Sequence, residues 1–236
     1  MSKTIREPLQ KYYASTNLFE IGVDEAGRGP MFGQLYVAGV ILPKDDSFDH
    51  SLMKDSKKFH SEKKIREAAA YIKSHALAWH IAIIEPALID EINILQSVLQ
   101  GMQECCRSCY FKMANSNPEL RPSCDILCLI DGDRFKPVTI FDENAQAIVE
   151  LPHVTIEGGD NTYTAIAAAS ILAKVARDDY IVELCKTYPV LNEKYGIEKN
   201  KGYGTLTHRQ GIANHGITQW HRRSFGMCQT APLHPL

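Results

Sequence analysis

No stretch of the chain stays apolar long enough to cross a membrane. Runs such as LYVAGVIL at 35–42 fall far short of the roughly 20 residues a spanning helix needs. The N-terminal MSKTIREPLQKYY lacks the apolar core of roughly 7–15 residues found in a secretory signal, so a cytoplasmic protein with no membrane partner is expected. There is no GxxxxGK[ST] run, which sets aside a P-loop nucleotidase. Internal repeats and low-complexity tracts are missing as well. Positive charge is not in excess: 26 Lys and Arg against 28 Asp and Glu give a net charge of -2, unlike proteins that coat nucleic acid without specificity. Cysteine is present, but its seven copies are odd in number and lie inside apparent helices and strands, which excludes a secreted disulfide framework and points to reduced thiols. Cys105 with Cys109, and Cys124 with Cys128, raise the question of zinc. Four-residue spacing on regular elements does not make the tight knuckle of a structural zinc site, and small buried hydrophobes are the expectation.

What remains is 236 residues with 44% hydrophobic content, enough for one sizeable core with a small appendage. FEIGVD (19–24) and QLYVAGVIL (34–42) are strand-like, and Gly27, Gly29, Pro30 and Gly33 break the chain between them. Ser61 is placed to cap a helix over SEKKIREAAAYIKSHAL, LAWHIAII (77–84) reads as a third strand, and Pro86 starts a long helix running towards Met113. DILCLID (125–131) suits a strand buried on both faces, HVTIE (153–157) a weaker one, and 164–185 a long buried helix. The order strand, strand, helix, strand, helix, strand, helix, strand, helix indicates an α/β fold. The first two strands are joined too tightly for a crossover, so they must be antiparallel and the sheet mixed. After Pro189 the composition shifts to Gly, Asn, His and Tyr, and a small irregular or helical appendage is expected.

Asp24 and Glu25 end the first strand and Asp131 ends the fourth, where strands give way to open space. Should those strands be neighbours, three carboxylates converge, and such a cluster persists only by sharing protons or binding hard cations such as Mg²⁺. Blander readings stand beside this one. Asp24 could cap the turn, Glu25 could be solvated, and Asp131 before Gly132 could end a strand in an ordinary turn. Asp178, late in a helix beside Arg177, reads by itself as half of a surface ion pair. Lysines cluster at 54, 57, 58, 63 and 64, with further basic pairs at Lys199 and Lys201 and at Arg222 and Arg223.

GVDEAGRGP (22–30), DSKK (55–58), LIDGD (129–133), AAASILAKVARD (167–178), KGYGT (201–205) and HRRSF (221–225) resemble, in order, the signature blocks of the bacterial ribonuclease HII family, the type 2 ribonucleases H. The GRG after the first acidic pair favours this branch over the sister ribonucleases HIII. The resemblance implies the ribonuclease H-like fold, a five-stranded mixed sheet flanked by helices with a small C-terminal helical appendage. It makes Asp24, Glu25, Asp131 and Asp178 the metal-binding carboxylates, holding two Mg²⁺ or Mn²⁺ ions. It assigns ribose recognition to Gly27, Arg28, Gly29 and Tyr203, and we expect phosphate contacts from Lys57, Lys58, Lys201, Arg222 and Ser224. His208 and His221 are read as structural, and Asp179 is given no role. Gly158, Thr162 and Ile217 depart from the family pattern.

The expected activity is endonucleolytic cleavage of RNA in RNA–DNA hybrids and nicking 5′ of ribonucleotides embedded in duplex DNA, by a monomer. Residues 1–188 are expected to form the catalytic domain and 189–236 a subdomain that helps bind substrate. A nuclease of the same fold directed at DNA junctions, and a hybrid-binding module without catalysis, are the competing readings.

Overall fold

The computed structural model describes residues 8–236; residues 1–7, the start of the segment read for a leader, lie outside the described residues. Among the described residues there are seven strands: β1 (Phe19–Ala26), β2 (Leu35–Ile41), β3 (Ala78–Ile84), β4 (Ile126–Asp131), β5 (Thr139–Asp142), β6 (Ala147–Glu150) and β7 (His153–Ile156). The α-helices are α1 (Glu62–His75), α2 (Pro86–Ser116), α3 (Pro122–Asp125), α4 (Thr164–Thr187), α5 (Val190–Tyr195), α6 (Ile197–Asn200) and α7 (Leu206–His215). None is long and apolar enough to cross a membrane.

The main sheet has the order β3-β2-β1-β4-β7. β1 runs antiparallel to β2, as its short connection requires, and parallel to β4, which is parallel to β7. The expected five-stranded mixed sheet is therefore observed. Side-chain alternation divides β1 between two cores. Ile21 and Val23 pack with Val98, Met102, Cys105 and Cys106 of α2 on one face. On the other face, Ala38 and Val40 of β2 meet Ile65 and Ile72 of α1 and the alanine-rich stripe of α4.

Two elements differ from expectation. Between β4 and β7 the anticipated helix is replaced by the β5–β6 hairpin, whose four-residue strands are largely exposed. α2 is broken at Asn93 (φ 67°, ψ 164°), whose Oδ1 accepts the N–H groups of Leu95 and Gln96 and so restarts the helix. All seven cysteines are free thiols, and all but Cys124 are buried. Burial pushes the Cys109 thiol up to about 12, as for a small buried hydrophobe.

The C-terminal segment is short helices and loop. Leu191, Tyr195, Ile212 and Ile217 bury together with Phe32 from the β1–β2 connection and Ile181 and Cys185 from α4. It shares its core with the loop that follows β1.

Candidate active site

The parallel pairing of β1 with β4 sets Val23 opposite Ile130, so the next residues, Asp24 and Asp131, stand side by side at the same end of the sheet. α4 crosses this edge closely because residue 22 is glycine: a Cβ there would lie 2.2 Å from the carbonyl carbon of Ala165. The crossing carries Asp178 over the strand ends. Asp24, Glu25, Asp131 and Asp178 all line one cleft of about 650 Å³.

Each carboxylate is held differently. Asp24 is buried, and its Oδ1 accepts the Glu25 N–H at 2.7 Å. Burial first, then the neighbouring Glu25 and Asp131, push its carboxyl well above the usual range. Burial raises Glu25 too, opposed by the Arg28 guanidinium 3.7 Å away. Asp131 is raised by burial, while its Oδ1 accepts the Gly159 N–H at 2.7 Å from the turn after β7. Asp178 Oδ2 accepts from Lys174 Nζ at 2.6 Å, one helical turn earlier.

Among the described residues no three His, Cys, Asp or Glu groups close around a single point as a ready-made metal cage. The donor set nevertheless fits a hard divalent cation. It is oxygen only and open to a wide cleft, leaving coordination positions for water and phosphate. Crowded carboxylates are relieved by positive charge, and the Lys174 ammonium already stands at Asp178 in that capacity.

The β1–β2 connection forms the adjoining wall. Gly27 has φ +98°, and a Cβ there would lie 2.3 Å from Arg177 Nε, so only glycine fits. Gly29 packs on Tyr203, whose Cε1 would be 3.5 Å from an added Cβ. Arg28 and Tyr203 are half-exposed, and both line the cleft together with Gly27, Gly29, Lys57 and Lys201.

Three residues expected at phosphate are not brought there. Lys58 does not line the cleft, and its Nζ lies 3.7 Å from Asp55. Arg222 is 0% exposed, with Nε and Nη1 donating to backbone carbonyls and Nη2 buried without a partner, so it is not available to substrate. Ser224 also lies outside the cleft lining, and its hydroxyl donates to Asp90 at 2.6 Å. Arg177 is corrected as well: it is a buried clamp, and Asp178 pairs with Lys174 instead. His208 and His221 are buried against each other. Asp179, given no role, pairs with Arg66 on the surface.

Sequence reasoning passed over Lys174, Ser170 and Asp160, which also line the cleft. Lys174 and Ser170 lie within the recognised AAASILAKVARD block, four and eight residues before Asp178, a helical spacing that puts all three on one face. Asp160 had no such signal.

A mixed sheet bearing carboxylates at the ends of its two central parallel strands, completed by one from a crossing helix, defines a ribonuclease H-like phosphodiesterase. The fold is shared with the crystal structure of ribonuclease H2 from Pyrococcus horikoshii OT3 (TM-score 0.62, 20% identity, 89% of this chain and 95% of that one). It is shared too with ribonuclease HII of Archaeoglobus fulgidus, solved in complex with PCNA (TM-score 0.60, 25% identity, 89% and 96%). The ribonuclease HII family profile matches residues 21–228. Ribonuclease HII of Phocaeicola vulgatus is 41% identical over 222 residues, 93% of this chain and 95% of the relative, and that of Nitrosomonas europaea is 40% identical over 94% and 89%. The chain belongs to the ribonuclease HII family. It is an endoribonuclease, a hydrolase that cleaves RNA in RNA–DNA hybrids, from a family that depends on divalent metal.

Proposed function

We propose that the protein nicks duplexes on the 5′ side of a ribonucleotide, including single ribonucleotides embedded in DNA, and leaves a 3′-hydroxyl and a 5′-phosphate. The observation that carries this reading is the single cleft shared by Asp24, Glu25, Asp131 and Asp178 with Arg28 and Tyr203. A pure hybrid-binding protein gains nothing from four carboxylates beside phosphate.

Asp24, Glu25, Asp131 and Asp178 would hold two Mg²⁺ or Mn²⁺ ions. When bound, the ions supply an activated water and neutralise charge on the departing 3′ oxygen. Asp131 is oriented for this by the Gly159 N–H, and Glu25 is kept towards the cleft by Arg28. Lys57 and Lys201 would draw the phosphates of the substrate strand to the acidic edge. Tyr203, resting on Gly29, would pack on the sugar while its phenol meets the 2′-hydroxyl that separates RNA from DNA. Residues 189–236 contribute Lys199, Lys201 and Tyr203 to the cleft, in keeping with a substrate-binding subdomain appended to a catalytic unit over 1–188. The protein would act as a monomer in the cytoplasm on RNA–DNA hybrids and on DNA duplexes containing ribonucleotides.

The deciding experiment incubates the protein and its Asp131→Asn variant with a DNA duplex holding one ribonucleotide, in Mg²⁺ and in EDTA. A nick 5′ of the ribonucleotide, dependent on Mg²⁺ and absent in the variant, is expected. No metal-dependent nick by the wild type would sink the reading, and cleavage of an all-DNA junction would favour a DNA-directed nuclease.

A further inference from the structure

Two arginines are turned inward behind the loop that carries Arg28. Arg222 donates through Nε to the Gly33 carbonyl at 2.9 Å, and through Nη1 to the carbonyls of Pro30 at 2.9 Å and Arg28 at 3.2 Å. Arg177, arriving from α4, donates to Gln34 at 3.3 Å, Phe32 at 3.2 Å and Lys201 at 2.9 Å. Asp90, the acid whose charge Arg222 feels, is occupied instead by the N–H groups of Arg223 and Ser224. Burying a guanidinium on carbonyls alone is expensive, and an apolar side chain would pack the same space at lower cost. The expense falls where five carbonyls of one loop, those of residues 28, 30, 32, 33 and 34, find their donors.

A peptide unit is planar, with its C=O and the following N–H pointing opposite ways. Drawing the Arg28 carbonyl towards Arg222 therefore turns the Gly29 N–H the other way, towards the cleft that Gly29 lines. The opposing wall belongs to the same bonded block. Met31 N–H donates to Gly202 at 3.0 Å, and the Arg222 N–H donates to Met31 at 2.8 Å. Beside Arg222, His221 Nδ1 accepts from the Thr218 N–H at 2.9 Å, which leaves its Nε2–H to donate to His208 Nε2 at 3.1 Å. His208 Nδ1–H then donates to the carbonyl of Tyr203 at 3.0 Å. Arg222, His221 and His208 lie outside the cleft lining, and their bonds lead to Arg28 beside Gly29 and to Tyr203, which line it.

We propose that Arg222 is a positioning residue for ribose selection: without touching substrate, it fixes the 28–29 peptide relative to the Tyr203 ring so that the gap accepts one ribose. The proposal rests on the reading of Arg28, Gly29 and Tyr203 given above. It predicts a selective defect. A continuous hybrid offers a 2′-hydroxyl at every step, so a loosened gap can find a neighbouring register. A lone ribonucleotide offers one register only.

The test compares Arg222→Lys and Arg222→Met with the wild type on two duplexes, one with a single ribonucleotide and one a continuous hybrid, each with a Mg²⁺ titration and a thermal melt. For Arg222→Met, kcat/KM on the single ribonucleotide should fall on the order of tenfold to a hundredfold further than on the hybrid. The half-activating Mg²⁺ should be unchanged, and Arg222→Lys, keeping the charge and part of the bonding, should recover part of the ratio. Should Arg222→Met not fold, Arg222→Lys carries the comparison, joined by His208→Asn, which keeps a donor for the Tyr203 carbonyl, against His208→Phe, which does not. Equal losses on both duplexes in folded variants, or an unchanged ratio, overturn the proposal alone. A wild type that cuts neither duplex overturns the functional reading, and the proposal with it.

Discussion

At the scale of single residues, the charge on Lys174 has the clearest consequence. Its ammonium lies 2.6 Å from Asp178 Oδ2, and it is about two-fifths exposed, so the pair contributes little to stability. It does hold a positive charge on an oxygen that a divalent ion would need. Lys174→Met should therefore lower the Mg²⁺ concentration for half-maximal binding, roughly twofold to fivefold for an interaction of about 0.5–1 kcal/mol. Calorimetric titration of Mg²⁺ into wild type and variant decides it, and a weaker-binding variant would show that Lys174 supports the ion site instead of competing for it. This residue also marks what a linear sequence conveys. The block AAASILAKVARD identifies Asp178 by resemblance, but chemistry read residue by residue paired it with its neighbour Arg177. On a helix adjacent residues point about 100° apart, and the partner is four residues away. Arg222 misled for a related reason: a motif names a side chain and not its direction, and a basic residue among other basic residues reads as a phosphate contact whether it faces solvent or carbonyls.

At the scale of elements, the site depends on how closely α4 lies on β1. Gly22 is where they touch: an added Cβ would meet Ala165 backbone carbon and oxygen at 2.2 and 2.4 Å and the Ile166 nitrogen at 2.4 Å. Backbone cannot swing aside as a flexible side chain can. Gly22→Ala should cost about 1–3 kcal/mol or more through overpacking. It should also lift Asp178 away from Asp24 and Asp131, so Mg²⁺ affinity falls together with the urea midpoint; a folded variant with wild-type affinity would separate the two. The strands and helices around this contact were legible because they are long and periodic. β4 reads as an unbroken apolar run, and α4 as a row of alanines that allows close approach. The β5–β6 hairpin was not legible. Its strands are four residues each; Ile140 turns into the core but Phe141 and Ile148 face outward at 54% and 75% exposure, so the alternation is too short to imprint a pattern. The break at Asn93 is hidden for another reason: the helical pattern resumes at once, and only the backbone dihedral records the interruption.

At the scale of the whole molecule, two buried populations of titratable groups oppose each other. His50, His208 and His221 are all lowered, chiefly by burial, His221 to about 3. An unfolded histidine takes up a proton below about pH 6.5 while these stay neutral, so their contribution is present above that pH. As pH falls below about 6.5 it is lost, for His221 down to about 3, at up to about 1.4 kcal/mol per unit for a group fully in its window. The cleft carboxylates Asp24, Glu25 and Asp131, with Asp160 beside them, are raised, again chiefly by burial. For these the folded state holds the proton more tightly, so stability is lost as pH rises through their folded values and regained on acidification. Without metal the two tendencies run in opposite directions as pH falls below about 6.5, so the loss of stability in acid is blunted. Saturating Mg²⁺ removes the offset, since it binds the ionised cluster of the folded state and stabilises by about 2.7 kcal/mol at a hundred times its Kd. The gain should be largest where the carboxylates are ionised and shrink as protons displace the ion. On acidification, melting temperature should therefore fall more steeply in Mg²⁺ than in EDTA. Parallel curves in the two conditions would mean that the ion does not bind these carboxylates, whereas a steep fall in EDTA would mean that the histidines alone set the acid limit.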